Sequence, residues 1–161
     1  MDALEMAVKM ETDAVRFYAE AANKTHYPVG KKMFQTIAED EKRHIAIISQ
    51  IIKGLNVTPD DVSPMKNVLS IFETMKSGMM KKIAVSPDEL EAFTIAMKME
   101  QESVEFYKET LATVTKEKEK ALIERLIWEE KQHYEIFSNT YQYLANTGNW
   151  FMWEERSIVE G

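Results

Sequence analysis

The sequence predicts an all-α fold, a four-helix bundle built from two repeated helical hairpins joined by a long crossover that contains a short helix. Three observations point there. Apolar residues recur at spacings of three and four over long stretches, which is the buried stripe of an amphipathic helix. Only five glycines and four prolines occur in 161 residues, so the stretches run uninterrupted. The chain is also an internal repeat. A shift of 89 positions, without a gap, lays Ala7 on Ala96, Lys9-Met10-Glu11 on Lys98-Met99-Glu100, and Val15 on Val104. The same shift lays Phe17-Tyr18 on Phe106-Tyr107, Lys31 on Lys120, Glu41 on Glu130 and His44 on His133. Two such hairpins docked face to face are related by a pseudo-two-fold axis, and a long connection lets the second lie beside the first.

Helix one is expected from about Asp2 to Asn23, with Leu4, Ala7, Val8, Ala14, Val15, Tyr18 and Ala22 inward and Glu11 on the same stripe. A break follows over Thr25-His26-Tyr27-Pro28-Val29-Gly30, and His26, in this polar stretch, is read as a surface residue. Helix two is expected from about Lys31 to Lys53, burying Phe34, Ile37, Ala38, Ile45, Ile48 and Ile52, with Gly54 as its stop. The crossover spans about residues 55–85, longer than most loops in compact domains. Thr58-Pro59 and Ser63-Pro64 are helix starts within it, and Val68 to Met75 suggest a short helix ending near Gly78. Helix three opens at the capping box Ser86-Pro87-Asp88-Glu89 and carries Phe93, Ala96, Met97, Val104, Tyr107 and Leu111 inward, along with Glu100 and Ser103. Helix four is expected from near Thr115 to Thr147-Gly148, with Ile123, Leu126, Ile127, Phe137, Tyr141 and Leu144 on its stripe.

Composition narrows the function classes. The length suits one domain with a full core, the bundle over residues 1–146 and an aromatic tail over 147–161. A net charge of −7, with Lys and Arg scattered, argues against a nucleic-acid backbone or an anionic membrane as partner. There is no cysteine, which excludes disulfides, thiolate-held metals and cysteine nucleophiles. Met1-Asp2-Ala3-Leu4-Glu5 lacks the basic and apolar regions of a signal peptide, and no apolar run approaches the about 20 residues of a membrane span. A cytoplasmic protein is expected.

The chemistry lies on the stripes. Glu130 and His133 fall on the buried face of helix four, and Glu41 and His44 on that of helix two. A spacing of i, i+3 points a glutamate and a histidine the same way, one turn apart. A carboxylate on a buried face must be compensated by a proton, a cation or a metal. With Glu11 and Glu100 added, the bundle gathers four glutamates and two histidines at one level of its core. One Glu from each of two helices, and Glu-x-x-His from the other two, is the ligand set of di-iron and di-manganese carboxylate bundles. Tyr18 and Tyr107 lie seven residues beyond Glu11 and Glu100, two turns along on the same face. Each is a core aromatic, or else a hydrogen-bond partner of a ligand or a radical trap.

The motifs Met10-Glu11…Phe17-Tyr18, Glu41-Lys42-Arg43-His44, Met99-Glu100…Phe106-Tyr107 and Glu129-Glu130-Lys131-Gln132-His133 resemble the rubrerythrin branch of the ferritin-like superfamily, and in particular its erythrin-type di-iron domain. The resemblance covers about residues 1–146. It implies a ferritin-like bundle holding two iron ions, with manganese or zinc as other occupants. Glu41 and Glu130 would bridge the two ions, while Glu11 with His44, and Glu100 with His133, would complete the separate coordination spheres.

The activity implied is that of a di-iron peroxidase, reducing hydrogen peroxide or dioxygen to water. A ferroxidase or iron-handling protein, and a non-enzymatic metal-binding protein, are the alternatives. Two departures bear on this. Rubrerythrins proper carry a further glutamate one turn after the third-helix ligand, where this chain has Ser103, and Glu102 and Glu105 lie off the stripe. That departure puts a redox-linked exchange of ligands in question. The chain also lacks the cysteines of a rubredoxin-like domain, so electrons would come from an external donor such as a rubredoxin-like protein. The tail, with Trp150, Phe151 and Trp153, needs a surface to cover, as a lid on the bundle or a dimer contact. A homodimer is expected.

Overall fold

The structure, a computed structural model, describes residues 2–54 and 87–145. It contains α1 (Ala3–Lys24), α2 (Pro28–Ile52), α3 (Pro87–Thr113) and α4 (Glu117–Ala145). The chain forms a ferritin-like four-helix bundle. The crossover over 55–85 with its short helix, the Ser86 cap, the end of helix four at 147–148 and the aromatic tail lie outside the described residues.

Local chemistry sets the helix ends. Asp2 and Glu5 form a reciprocal capping box on α1, with Glu5 N donating to Asp2 Oδ1 at 2.9 Å and Asp2 N donating to Glu5 Oε2 at 3.4 Å. Such a cap is worth about 1 kcal/mol. Helix α2 begins earlier than the sequence suggests. Pro28, Val29 and Gly30 belong to its first turn, and the break is only Thr25-His26-Tyr27. The reason is proline at the first helical position, where its missing N–H is one of the unpaired amides anyway. Gly30 serves packing instead of a turn. A Cβ there would come within 3.2 Å of the buried Tyr27 ring and 3.7 Å of Phe93. Gly54 ends α2 as expected, with φ of +73° and its N–H donating to Ile51 O at 2.9 Å. Helix α4 starts at Glu117, two residues later than expected, with Lys120 N donating to Lys116 O at 3.0 Å.

Within each hairpin the helices pack along their length, and the hairpins approach each other chiefly through α1 and α3. Small residues on the two helices suit that approach: Ala7 and Ala14 on α1 and their repeat equivalents Ala96 and Ser103 on α3 are all buried. Glu89 near the start of α3 ties the hairpins at one end, accepting from His26 N at 2.7 Å and Thr25 Oγ1 at 3.2 Å. His26 itself is exposed, as read from the sequence.

Two apolar layers flank the middle of the bundle. One is aromatic, with a ring from each helix: Tyr18, Phe34, Phe93 and Phe137 stack and tilt with centroids 5.0 to 6.3 Å apart. The other comprises Ala7, Ile48, Val104, Tyr107, Ile123, Leu126 and Ile127. The stripe of α2 shifts at its last turns. Ile47 and Ile51 pack on Leu122 of α4, and Ile52, expected inside, is exposed. Among the described residues no helix is long and apolar enough to cross a membrane.

Phe34 touches three of the four helices through its ring contacts, so truncating it leaves a large void. Phe34→Ala is expected to destabilise the metal-free protein by about 3–5 kcal/mol, read as a lower midpoint of urea unfolding in the presence of a chelator. A loss below about 1 kcal/mol would show that the aromatic layer does not carry the core.

Candidate metal centre

Between the two apolar layers the four helices turn four glutamates and two histidines toward one another. Glu11 comes from α1, Glu41 and His44 from α2, Glu100 from α3, and Glu130 and His133 from α4. All six are at most 1% exposed. Ligand atoms of Glu11, Glu41, His44 and Glu130 lie within 4.8 Å of one another, and so do those of Glu41, Glu100, Glu130 and His133. The two groups share Glu41 and Glu130. The site is therefore a pair of four-residue sets with two carboxylates in common.

The hydrogen bonds fix which atoms remain for a ligand. Tyr18 Oη donates to Glu100 Oε1 at 2.6 Å, and Tyr107 Oη donates to Glu11 Oε1 at 2.5 Å. Each tyrosine reaches the glutamate of the other hairpin and holds one of its oxygens. His44 Nε2 pairs with Glu129 Oε1 at 2.9 Å, and His133 Nε2 pairs with Asp40 Oδ2 at 2.6 Å. These bonds also cross between hairpins, and each orients a ring so that Nδ1 faces the centre. His44 Nδ1 lies 2.8 Å from Glu130 Oε1, and His133 Nδ1 lies 2.7 Å from Glu41 Oε1, yet neither pair is aligned as a hydrogen bond. The two imidazoles are nearly parallel, with centroids 5.8 Å apart.

The atoms left over are Glu11 Oε2, Glu100 Oε2, both oxygens of Glu41 and of Glu130, and Nδ1 of both histidines. Among the described residues these, with Arg43 Nη1, are the buried side-chain polar atoms that lack a hydrogen-bond partner. An unsatisfied buried polar atom costs about 1–3 kcal/mol, more for a charged one. Eight in one cavity is untenable unless something binds them. Carboxylate oxygens and imidazole nitrogens suit first-row divalent ions, and four carboxylates balance the charge of two such ions. The residues present fit a di-metal centre.

An outer ring of charge surrounds the cluster. Asp40 and Glu129 are buried, and Arg43 joins them: its Nε donates to Asp40 Oδ1 at 3.0 Å, and its Nη2, 2.9 Å from the same oxygen, donates to Glu129 Oε1. Arg125 Nε donates to Glu129 Oε2 at 2.9 Å, while its guanidinium stacks 4.4 Å over the Trp128 ring. Sequence reasoning missed this ring. The signal was present, because Asp40 and Glu129 are themselves 89 apart and each precedes its own helix's histidine by four residues, one turn along the same face.

Burial and crowding redistribute protons in the metal-free cluster. Burial, then the charge of Glu41, holds Glu11 well above the usual carboxylate range. Burial, then Glu100, Glu11 and Glu41, does the same for Glu130. Glu41 goes the other way: burial works to raise it, but the adjoining Glu11 carboxyl and the charge of His44 hold it well below the usual range. For both histidines burial favours the neutral ring, yet the surrounding carboxylates outweigh it and hold them well above normal. Tyr18 and Tyr107 are pushed up by burial and by Glu100 and Glu11, so both hydroxyls stay protonated donors.

The Rubrerythrin family model matches residues 2–141, nearly the whole bundle. The chain belongs to the rubrerythrin family. A solved structure of a hypothetical protein from Pyrococcus furiosus is similar to it, with 28% identity, a TM-score of 0.65, and coverage of 90% of this chain and 89% of that one. Among curated proteins none matches. Membership places the buried cluster in a ferritin-like di-iron family, and the two overlapping sets correspond to a di-metal site. At the position of the further rubrerythrin glutamate, Ser103 is buried on α3. With Ala14 it lines a groove of about 490 Å³ whose sides include Met10, Met99 and Glu102. Glu102 and Glu105 are exposed and cannot replace it.

The proton distribution has a measurable sign. Burial and neighbouring charge shift Glu11, Glu130 and both histidines toward their protonated forms in the metal-free protein, whereas a metal-bound ligand must be deprotonated. Loading with divalent metal is expected to release protons and to tighten as pH rises from 6 to 8. A pH-indicator titration during anaerobic loading checks it, and metal uptake without proton release would contradict the assignment.

Proposed function

We propose that the protein binds two iron ions and reduces hydrogen peroxide, or dioxygen, to water with electrons from an external donor. The observation that carries this reading is the pair of ligand sets sharing Glu41 and Glu130 in a cavity closed by apolar layers, in a chain of the rubrerythrin family. Glu41 and Glu130, common to both sets, would hold both ions, Glu11 and His44 would hold one of them, and Glu100 and His133 the other. A pair of ferrous ions so held supplies the two electrons that cleave an O–O bond. Reduction of one peroxide also consumes two protons and yields two waters.

The chain's own residues do the rest. The aromatic layer and its aliphatic counterpart exclude bulk water, which strengthens every electrostatic interaction inside. Tyr18 and Tyr107 hold Glu100 and Glu11 at one oxygen each, keeping the other aimed at the centre. Their hydroxyls are also the nearest neutral O–H groups bonded to ligand atoms, positioned to pass a hydrogen inward. Asp40 and Glu129 fix the histidine rings in one tautomer. The absence of cysteine means that this chain carries no thiolate-held relay, so a rubredoxin-like donor is the fitting electron source. A homodimer is the proposed assembly.

The reading is tested by iron content and single turnover. Glu130→Ala and Glu41→Ala remove a shared ligand and are expected to lose most of both irons. Glu11→Ala and Glu100→Ala are expected to keep roughly one per chain, a split that follows from the shared and unshared sets. The anaerobically reduced wild type should consume about one peroxide per chain and then stop until a donor is added, since two electrons reduce one peroxide. Full iron and full turnover in all four variants would refute the site, and iron oxidation followed by release of the ions would favour iron handling over peroxide reduction.

A further inference from the structure

The six inner residues obey the 89-residue repeat, but the arginines outside them do not. The repeat equivalent of Arg43 is Gln132, and that of Arg125 is Thr36. Both guanidiniums therefore bear on Glu129, and only one on Asp40. Glu129 has both oxygens engaged by arginine: Oε1 is shared between Arg43 and His44, and Oε2 takes Arg125 at 2.9 Å. In Asp40 the arginine contacts fall on Oδ1, and Oδ2 faces His133 at 2.6 Å with His44 Nε2 3.9 Å away. The His44–Glu129 bond is correspondingly longer, at 2.9 Å.

From this geometry we infer that the two metal positions are inequivalent, with Arg125 as the positioning residue that weakens the one served by His44. The inference rests on the di-metal reading above. A carboxylate that accepts from an imidazole N–H raises the basicity of the ring's other nitrogen, and such outer partners change metal affinity by about 10–100-fold. A guanidinium on the same carboxylate draws off that negative charge. Glu129, neutralised from both ends, polarises His44 less than Asp40 polarises His133. Arg43 and Arg125, both partly exposed, together bear on Glu129, the partner of His44, whereas Arg43 alone bears on Asp40. The position formed by Glu100, His133 and the two shared glutamates fills first. The position formed by Glu11 and His44 fills second.

Two adjacent cations repel, so two binding steps alone would prove nothing. The deciding quantity is how the gap between the steps changes. Full-length metal-free protein is titrated anaerobically with cobalt(II), followed by visible absorption and calorimetry, with thermal unfolding of each metal-free variant as the control for folding. Arg125→Gln is expected to strengthen the second step by about 10-fold and leave the first nearly unchanged, narrowing the gap. Arg125→Lys, which keeps a cation four residues before Glu129, is expected to preserve the gap. Asp40→Asn is expected to weaken the first step. Loss of one distant charge would strengthen both steps alike, and that result, an unchanged gap in Arg125→Gln, or an effect of Asp40→Asn on the second step, would overturn the inference while leaving the di-metal site intact. Failure of the wild type to bind two cobalt ions would overturn the di-metal reading itself.

Discussion

Four glutamates with essentially no solvent exposure, packed between an aromatic and an aliphatic layer, are the constraint to which the rest of the bundle answers. Moving even one carboxylate out of water costs several kcal/mol unless its charge is met. Four together also repel. In the metal-free protein burial and mutual repulsion drive neighbouring glutamates in opposite directions and the histidines upward, toward forms that carry protons. With two divalent ions the inner charge balances without them. The outer carboxylates Asp40 and Glu129 are balanced separately by Arg43 and Arg125, so inner and outer layers are each neutral with both imidazoles neutral. Neutrality in two shells is what makes so polar a core compatible with a stable fold.

The same bonds decide how the hairpins are held together. Small residues let α1 and α3 approach closely, whereas α2 and α4 stand further apart. The gap between α2 and α4 is filled by long polar side chains: His44 to Glu129, His133 to Asp40, and Arg43 to both. On the α1–α3 side the tyrosine–glutamate bonds also run from one hairpin to the other. Every hydrogen bond that orients an inner ligand thus joins the halves. Hairpin docking therefore precedes metal binding, because a ligand held by the opposite hairpin is placed only when both halves have met.

Much of this was legible in the sequence, for identifiable reasons. A long helix repeats its buried face so regularly that a glutamate or histidine on the stripe stands out, and the 89-residue shift marks which of them belong together. That sufficed for the bundle, for the six inner residues and for the tyrosines seven residues beyond. What escaped depends on partners from elsewhere. Pro28 and Gly30 read as a break, since the rings of Tyr27 and Phe93 that make room for a glycine inside a helix are not visible locally. Ile52 continues the stripe by spacing, but Leu122 draws the buried face toward Ile47 and Ile51. Asp40 and Glu129 sit beside the stripe, and only the contact with the opposite hairpin's histidine makes them inner residues. Arg43 and Arg125 look like ordinary surface cations, because no periodicity predicts a guanidinium reaching sideways to a buried acid.

The repeat also explains where symmetry survives and where it fails. A duplicated hairpin begins with two identical halves, and any residue that must meet its own copy across the axis stays matched. Glu11 with Glu100, Glu41 with Glu130 and His44 with His133 are of this kind, since each shares one cavity with its counterpart, and Tyr18 and Tyr107 each hold one of the paired glutamates. A residue one layer out meets different neighbours on the two sides, so nothing requires Arg43 and Gln132, or Arg125 and Thr36, to agree. Differences accumulate first at that distance: near enough to act on a ligand through one hydrogen bond, far enough to leave the ligand set unchanged. Two chemically identical ligand sets can then differ in strength. The outer carboxylates and their arginines are therefore where a symmetric scaffold acquires direction.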